Sequence, residues 1–211
     1  MSELDRLRED AADCRMCDLW QDATQTVFGE GRASAEVMVV GEQPGDVEDK
    51  QGKPFVGPAG RLLDRAFEEA GIDRTKVYVT NAVKHFRFEL RGKRRIHRKP
   101  TVGQIEACKP WLQGEIAAVR PKLIVCLGAT AAQSLLGKTF RLTRHRGEVF
   151  SPEGLPPVTA TVHPSSILRA DDDDRQAQFD ALVTDLRKAA KQVEVVRDAA
   201  KRAPSRARKA G

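Results

Sequence analysis

The sequence contains no apolar run approaching the roughly 20 residues that a membrane-spanning helix needs. A helical membrane protein is therefore excluded. The opening stretch MSELDRLREDAADC is charged where a signal peptide would be apolar. The expectation is an intracellular, cytoplasmic protein without a membrane partner. Four cysteines are too few for a disulfide scaffold of 211 residues, and two of them form the chelating pair Cys14-x-x-Cys17. The apolar set makes up 40%, which is low, but the 16 glycines bring the share to roughly 47%, ordinary for a globular chain. Disorder of the whole chain is excluded, and the length suits one domain with a tail.

What is present begins with the distribution of charge. The net charge is +6. From Lys84 to Lys99 there are eight Lys/Arg and one Glu, and from Arg187 to Gly211 nine Lys/Arg and two acidic residues. Each segment carries net +7, so the remainder carries −8 and the body is mildly acidic. Concentrated positive charge that displaces phosphate counterions suits nucleic acid. The plain alternative is a solvated loop and a solubility tail.

Hydrophobic patterning gives the architecture. Val37–Val40, Val77–Thr80, Leu123–Leu127 and Val158–Val162 are continuous apolar runs of strand length. Helical spacing marks about Glu3–Ala12, the segment after Pro58 up to Gly71, Val102–Val119 interrupted by Pro110, the stretch after Gly128, and about Arg175–Lys191. Strands alternating with helices predict an α/β fold, a three-layer α/β/α sandwich around a central four-stranded parallel sheet. One domain is expected over residues 1–191. Residues 192–211 have no large apolar residue after Val196 and are expected to form a disordered basic tail, with a frayed helical extension as the alternative.

In such sheets ligands bind beyond the carboxyl ends of the strands. The residues there include Glu42, Asn81 and His163, which together make a plausible pocket. A carboxamide offers a donor beside an acceptor, matching a pyrimidine edge. A carboxylate stabilises a cation or activates a nucleophile. The sulfur and imidazole set is Cys14, Cys17, His85 and Cys108. Cys126 lies in the middle of the apolar run LIVCLG, where a cysteine behaves as a small hydrophobe. The donor chemistry alone leaves tetrahedral zinc and an iron–sulfur cluster both open. In the basic segment, cations around His97 favour the neutral imidazole, a competent nucleophile. Taken alone, His97 reads more readily as a DNA-contacting side chain, since most surface histidines have no catalytic role.

Six segments in order, GEQPGDVED, KPFVGPAGRLLD, YVTNAVK, EACKPWL, IVCLGATA and TVHPSS, resemble the uracil-DNA glycosylase superfamily, specifically its iron–sulfur family 4 branch. His85 stands where that branch has a cysteine, Gln43 where it has alanine, and Lys93-Arg94-Arg95-Ile96-His97 is an insertion. These departures resemble the UdgX subgroup, which stays covalently joined to DNA through the histidine of its KRRIH segment. The resemblance implies that Cys14, Cys17, His85 and Cys108 hold a [4Fe-4S] cluster, with Cys126 in the core. It implies that Asn81 reads the uracil edge, that Phe55 stacks on the flipped base, and that Gly41, Gln43 and Asp46 belong to the pocket. His163 would donate to uracil O2. Ser165, Ser166 and the basic residues beside His97, Arg95 among them, would meet phosphates. His97 would capture the sugar cation, with Glu42 orienting or activating it.

The implied substrate is uracil-containing DNA, single strands in preference because base extrusion costs least there. A monomer suffices. Two other readings stay in play: a turnover glycosylase whose basic loop only grips DNA, and a non-catalytic, metal-stabilised nucleic-acid binding module.

Overall fold

A computed structural model describes residues 1–202. Four parallel strands, β1 (Val37–Gly41), β2 (Val77–Asn81), β5 (Leu123–Leu127) and β7 (Val158–Thr161), form the sheet expected from the apolar runs. The count is corrected by one. A short strand β6 (Val149–Phe150) adds antiparallel to β7, giving five strands in the order β2-β1-β5-β7-β6. Two residues carry too little pattern to be read as a strand without their partner.

Side chains alternate across the sheet. Met38, Val40, Ile124, Cys126 and Ala160 pack on one face, against α1 (Glu3–Ala12), α4 (Val102–Val119) and α5 (Ala129–Leu136). Val39, Val79, Val125 and Leu127 face the other way, against α3 (Pro58–Ala70), α7 (Pro164–Leu168) and α8 (Asp172–Arg202). Because both faces are covered, the strands read as unbroken apolar runs. Cys126 is fully buried in this core, and burial pushes its thiol up to about 12. Pro110 does not interrupt α4; it lies on the solvent side, where the carbonyl it leaves unpaired reaches water.

Both rims of the sheet are blunted rather than left as long bare edges. Glu30 exchanges two backbone hydrogen bonds with Val79 at the β2 rim, both 2.8 Å. The opposite rim is the two-residue β6.

Of the expected basic tail, residues 192–202 follow the helical alternative. α8 continues to Arg202, with Val193 buried against the sheet and Arg197 paired with Glu36. One apolar anchor and one ion pair suffice to extend an existing helix, because each added residue costs less than a new nucleus. Residues 203–211 of the expected tail lie outside the described residues.

The segment Lys84–Lys99, expected only as a basic loop, folds into the antiparallel pair β3 (Phe88–Arg91) and β4 (Arg94–His97). Gly92 turns the chain between them with φ of 59°.

Candidate active site

The carboxyl ends of β1, β2, β5 and β7 open onto a cavity of about 830 Å³. Its lining includes Glu42, Gln43, Phe55, Asn81, His97, His163 and Ser165. The topology thus brings together side chains that are far apart in sequence.

At the mouth, His97 at the end of β4 sets Nε2 3.3 Å from Glu42 Oε1. A carboxylate thus faces the His97 ring beside the cations of its own segment. Burial works against the Glu42 charge, but hydrogen bonds from His97 and Thr130 outweigh it and hold the carboxyl below its ordinary range. The Thr130 hydroxyl donates to Glu42 Oε2. Thr130 was not singled out from sequence; its only signal is its place just after a strand end.

The floor carries Asn81, buried, with no hydrogen-bond partner for its carboxamide among the described residues. A buried amide is usually spent on the protein; here it faces the cavity unspent. Gly41, paired with Asn81 across β1 and β2, lies beneath the cavity rather than on its lining. A Cβ there would collide with Asn81 Oδ1 and the Phe55 ring, so only glycine leaves room for both.

The His163 ring is 6.2 Å from Phe55, nearly parallel at 28°. Burial lowers its pKa to about 4, so the ring is neutral at pH 7. His163 Nδ1 accepts from the Ser165 amide at 3.1 Å and lies 2.8 Å from Ser165 Oγ. An accepting Nδ1 puts the proton on Nε2, which has no partner among the described residues. Both expected serines are thus turned inward, since Ser166 Oγ donates to the His163 carbonyl at 2.7 Å. Phe55 has φ of 57°, an uncommon conformation for a side chain of its size. It is held over Gly60, where any Cβ would strike the Phe55 backbone.

Asp46 and Arg95 differ from expectation. Neither lines the cavity. Arg95 Nε donates to Asp46 Oδ1 at 2.5 Å and Nη1 to the fully buried Asp49 at 2.7 Å. Its guanidinium also lies over Phe86 and Phe88. Arg95 is therefore an internal anchor that pins the hairpin to α2 (Asp46–Gln51), not a free phosphate contact. Gln43 adds a second pin. Its Nε2 donates to the carbonyls of Arg87 and Arg98, both at 3.1 Å, and its Oε1 accepts from the Arg87 amide at 3.1 Å.

Comparison with known proteins places this arrangement. The Uracil DNA glycosylase superfamily profile matches residues 28–187. The chain belongs to the uracil-DNA glycosylase superfamily. It is 38% identical over 176 residues to a type-4 uracil-DNA glycosylase of Sulfurisphaera tokodaii, covering 80% of this chain and 77% of that protein. To type-4 enzymes of Archaeoglobus fulgidus and Thermotoga maritima it is 36% and 40% identical, covering 84% and 78% of them.

In this superfamily member none of the expected metal donors lines the cavity, and two of them, Cys14 and Cys17, precede the matched span. Cys17 and Cys108 share a hydrogen bond, which draws Cys17 down to about 6 and pushes Cys108 up. Cys14 Sγ accepts from Trp111 Nε1 at 3.1 Å, one turn along α4 from Cys108. His85 Nε2 lies 3.0 Å from Thr26 Oγ1, while its buried Nδ1 is unpartnered among the described residues. Among the described residues no three His, Cys, Asp or Glu side chains converge on a point that could hold one metal ion. A cubane cluster asks for something else, because each ligand binds its own iron and the donors stand apart.

Proposed function

We propose that this protein excises uracil from DNA, preferring single strands, and is then captured by its own product through His97. The observation that carries this reading is the placement of His97 Nε2 beside Glu42, at the mouth of a cavity whose floor offers an unspent carboxamide. Membership of the superfamily and likeness to type-4 uracil-DNA glycosylases support the excision step.

Uracil enters with its edge against Asn81 and its face on Phe55. The C1′–N1 bond breaks, and its electron pair moves to the base. His163 Nε2–H meets the charge that grows on uracil O2. Glu42 faces the sugar as it becomes cationic. His97 Nε2 then adds its lone pair to C1′, which requires its proton to sit on Nδ1 or to pass to Glu42. Any proton left on Nδ1 is released to solvent; the product is then a neutral N-alkylated imidazole, a poor leaving group at neutral pH, so the bond persists. Arg95 acts through the hairpin, holding His97 over the mouth, and Asp46 acts by holding Arg95.

Cys14, Cys17, Cys108 and His85 fit a [4Fe-4S] cluster, with the orphaned, buried His85 Nδ1 as the observation that favours it. When bound, the cluster would cross-link the N-terminal segment to the Asn81–Cys108 connection. One cavity holds every group the reaction uses, so the protein works as a monomer. Among the described residues no helix is long and apolar enough to cross a membrane, and a cytoplasmic, DNA-associated enzyme is the reading we favour.

The test is a labelled single-stranded oligonucleotide with one uracil, incubated with the protein, boiled and run on a denaturing protein gel. A shifted, heat-stable band that is absent with thymine is expected. Free uracil and an alkali-labile site without that band would mean ordinary turnover. Neither product would leave a binding module.

A further inference from the structure

Lys84 and Glu115 form an ion pair at 2.5 Å, with both side chains wholly inaccessible to solvent. Removing two charges from water costs several kcal/mol per ion, and well-packed apolar residues often serve stability as well or better. Stability alone is therefore a poor account of this pair.

Its hydrogen bonds suggest another. Lys84 Nζ has three donors and spends all three: on Glu115 Oε2, on Thr80 Oγ1 at 2.6 Å, and on the Asn81 carbonyl at 2.8 Å. Glu115 in turn accepts from Thr80 Oγ1 at 2.9 Å, Tyr78 OH at 3.0 Å and the Gly29 amide at 2.9 Å. No donor is left over for a ligand, so the cluster is not itself a binding site. It is a brace between α4 and the end of β2, and the atom it grips there is the carbonyl of Asn81. The Asn81 carboxamide, by contrast, is held by nothing among the described residues. Its direction is set by its backbone and by its packing over Gly41.

We propose that Lys84, held by Glu115, is a positioning residue that aims the Asn81 carboxamide at the substrate base. This rests on the reading that Asn81 recognises uracil. The peptide after Asn81 is held on two sides, its amide by the Gly41 carbonyl at 2.9 Å and its carbonyl by Lys84 at 2.8 Å; an apolar residue at position 84 could fill the volume but would leave the carbonyl side unheld. Misplacing a recognition group by about 1 Å costs roughly 100-fold in rate.

The test is a double-mutant cycle on the full-length protein. The variant Lys84→Met/Glu115→Gln leaves no buried charge and keeps an oxygen for Gly29 and Tyr78. Excision is measured as a single-turnover rate at saturating protein, with the half-saturation concentration read separately. The expected result is a loss of roughly 10- to 100-fold in the rate, little change in half-saturation, and iron content and melting temperature close to wild type. In an Asn81→Ala background the same pair should change the rate less than about twofold.

Equal fold-losses in both backgrounds would overturn the proposal and make the brace a general scaffold. Undiminished excision by Asn81→Ala alone would overturn the reading beneath it, and the proposal with it. If the paired variant does not fold, Thr80→Val runs the same cycle. It deletes the hydroxyl that steadies Lys84 without altering charge, and a smaller loss that vanishes with Asn81→Ala is expected.

Discussion

Two segments carry the same net charge of +7, Lys84–Lys99 and Arg187–Gly211, yet the fold uses them differently. The first sits at the carboxyl ends of the strands and spends much of its charge on the protein. Arg95 is taken by Asp46 and Asp49, Arg91 and Arg98 by Glu89, and Arg87 by the Lys99 carbonyl. Only Lys93, Arg94 and Lys99 stay exposed without a side-chain partner among the described residues. The described part of the second segment reaches the other end of the sheet, where Arg197 meets Glu36 just ahead of β1. A strand of five residues separates the two ends by ~17 Å, beyond the ~8 Å over which salt screens charge. A count of basic residues thus overstates how many phosphates a segment can hold. Part of the charge in the hairpin buys a shape.

The sharpest break of this comparison is at His97. His97→Ser should abolish the boiling-resistant band and allow water to capture the sugar, so that uracil is released with turnover. A surviving cross-link in that variant would remove His97 as the nucleophile. Next comes Arg95→Ala. If Arg95 shapes the hairpin, adduct formation should slow by roughly 10- to 100-fold while the salt dependence of DNA binding stays the same. A slope reduced by about one, with the rate intact, would return Arg95 to the phosphates. Neutralising Lys93, Arg94 and Lys99 together should do the reverse. The slope of log affinity against log salt should fall by about 2 on single strands, with the rate at saturation little changed. Smallest of all is the effect of the far segment. Lys191→Ala combined with deletion of residues 203–211 should alter excision on a short oligonucleotide by less than about twofold. A larger loss would show that the two segments share one stretch of DNA.

The four parallel strands were legible because both of their faces are buried, which leaves an unbroken apolar run in each. The hairpin was not, because FELR and RRIH are short and charged, and what holds them is remote. Arg95 and its acidic partners are 46 and 49 residues apart. No local period reports such a contact. The pocket was legible where polar residues follow strands, as with Glu42, Asn81 and His163. It was not legible at Thr130, since a hydroxyl after a strand reads as a helix cap. Nor were the roles of Asp46 and Gln43 as struts visible, because sequence gives proximity to a site but not the direction a side chain takes. The end of α8 stood open between disorder and helix for a related reason: a polar helix that leans on one valine and one ion pair has almost no hydrophobic signature.

The two blunted rims of the sheet bear on how the protein behaves in company. A parallel sheet with a bare outer strand offers its neighbours a row of unpaired amides, and chains at high concentration can zip together along it. Here the Glu30 bridge occupies part of one such row, and β6 ends the other after two residues. Little bare edge is left on which a second copy could add a strand.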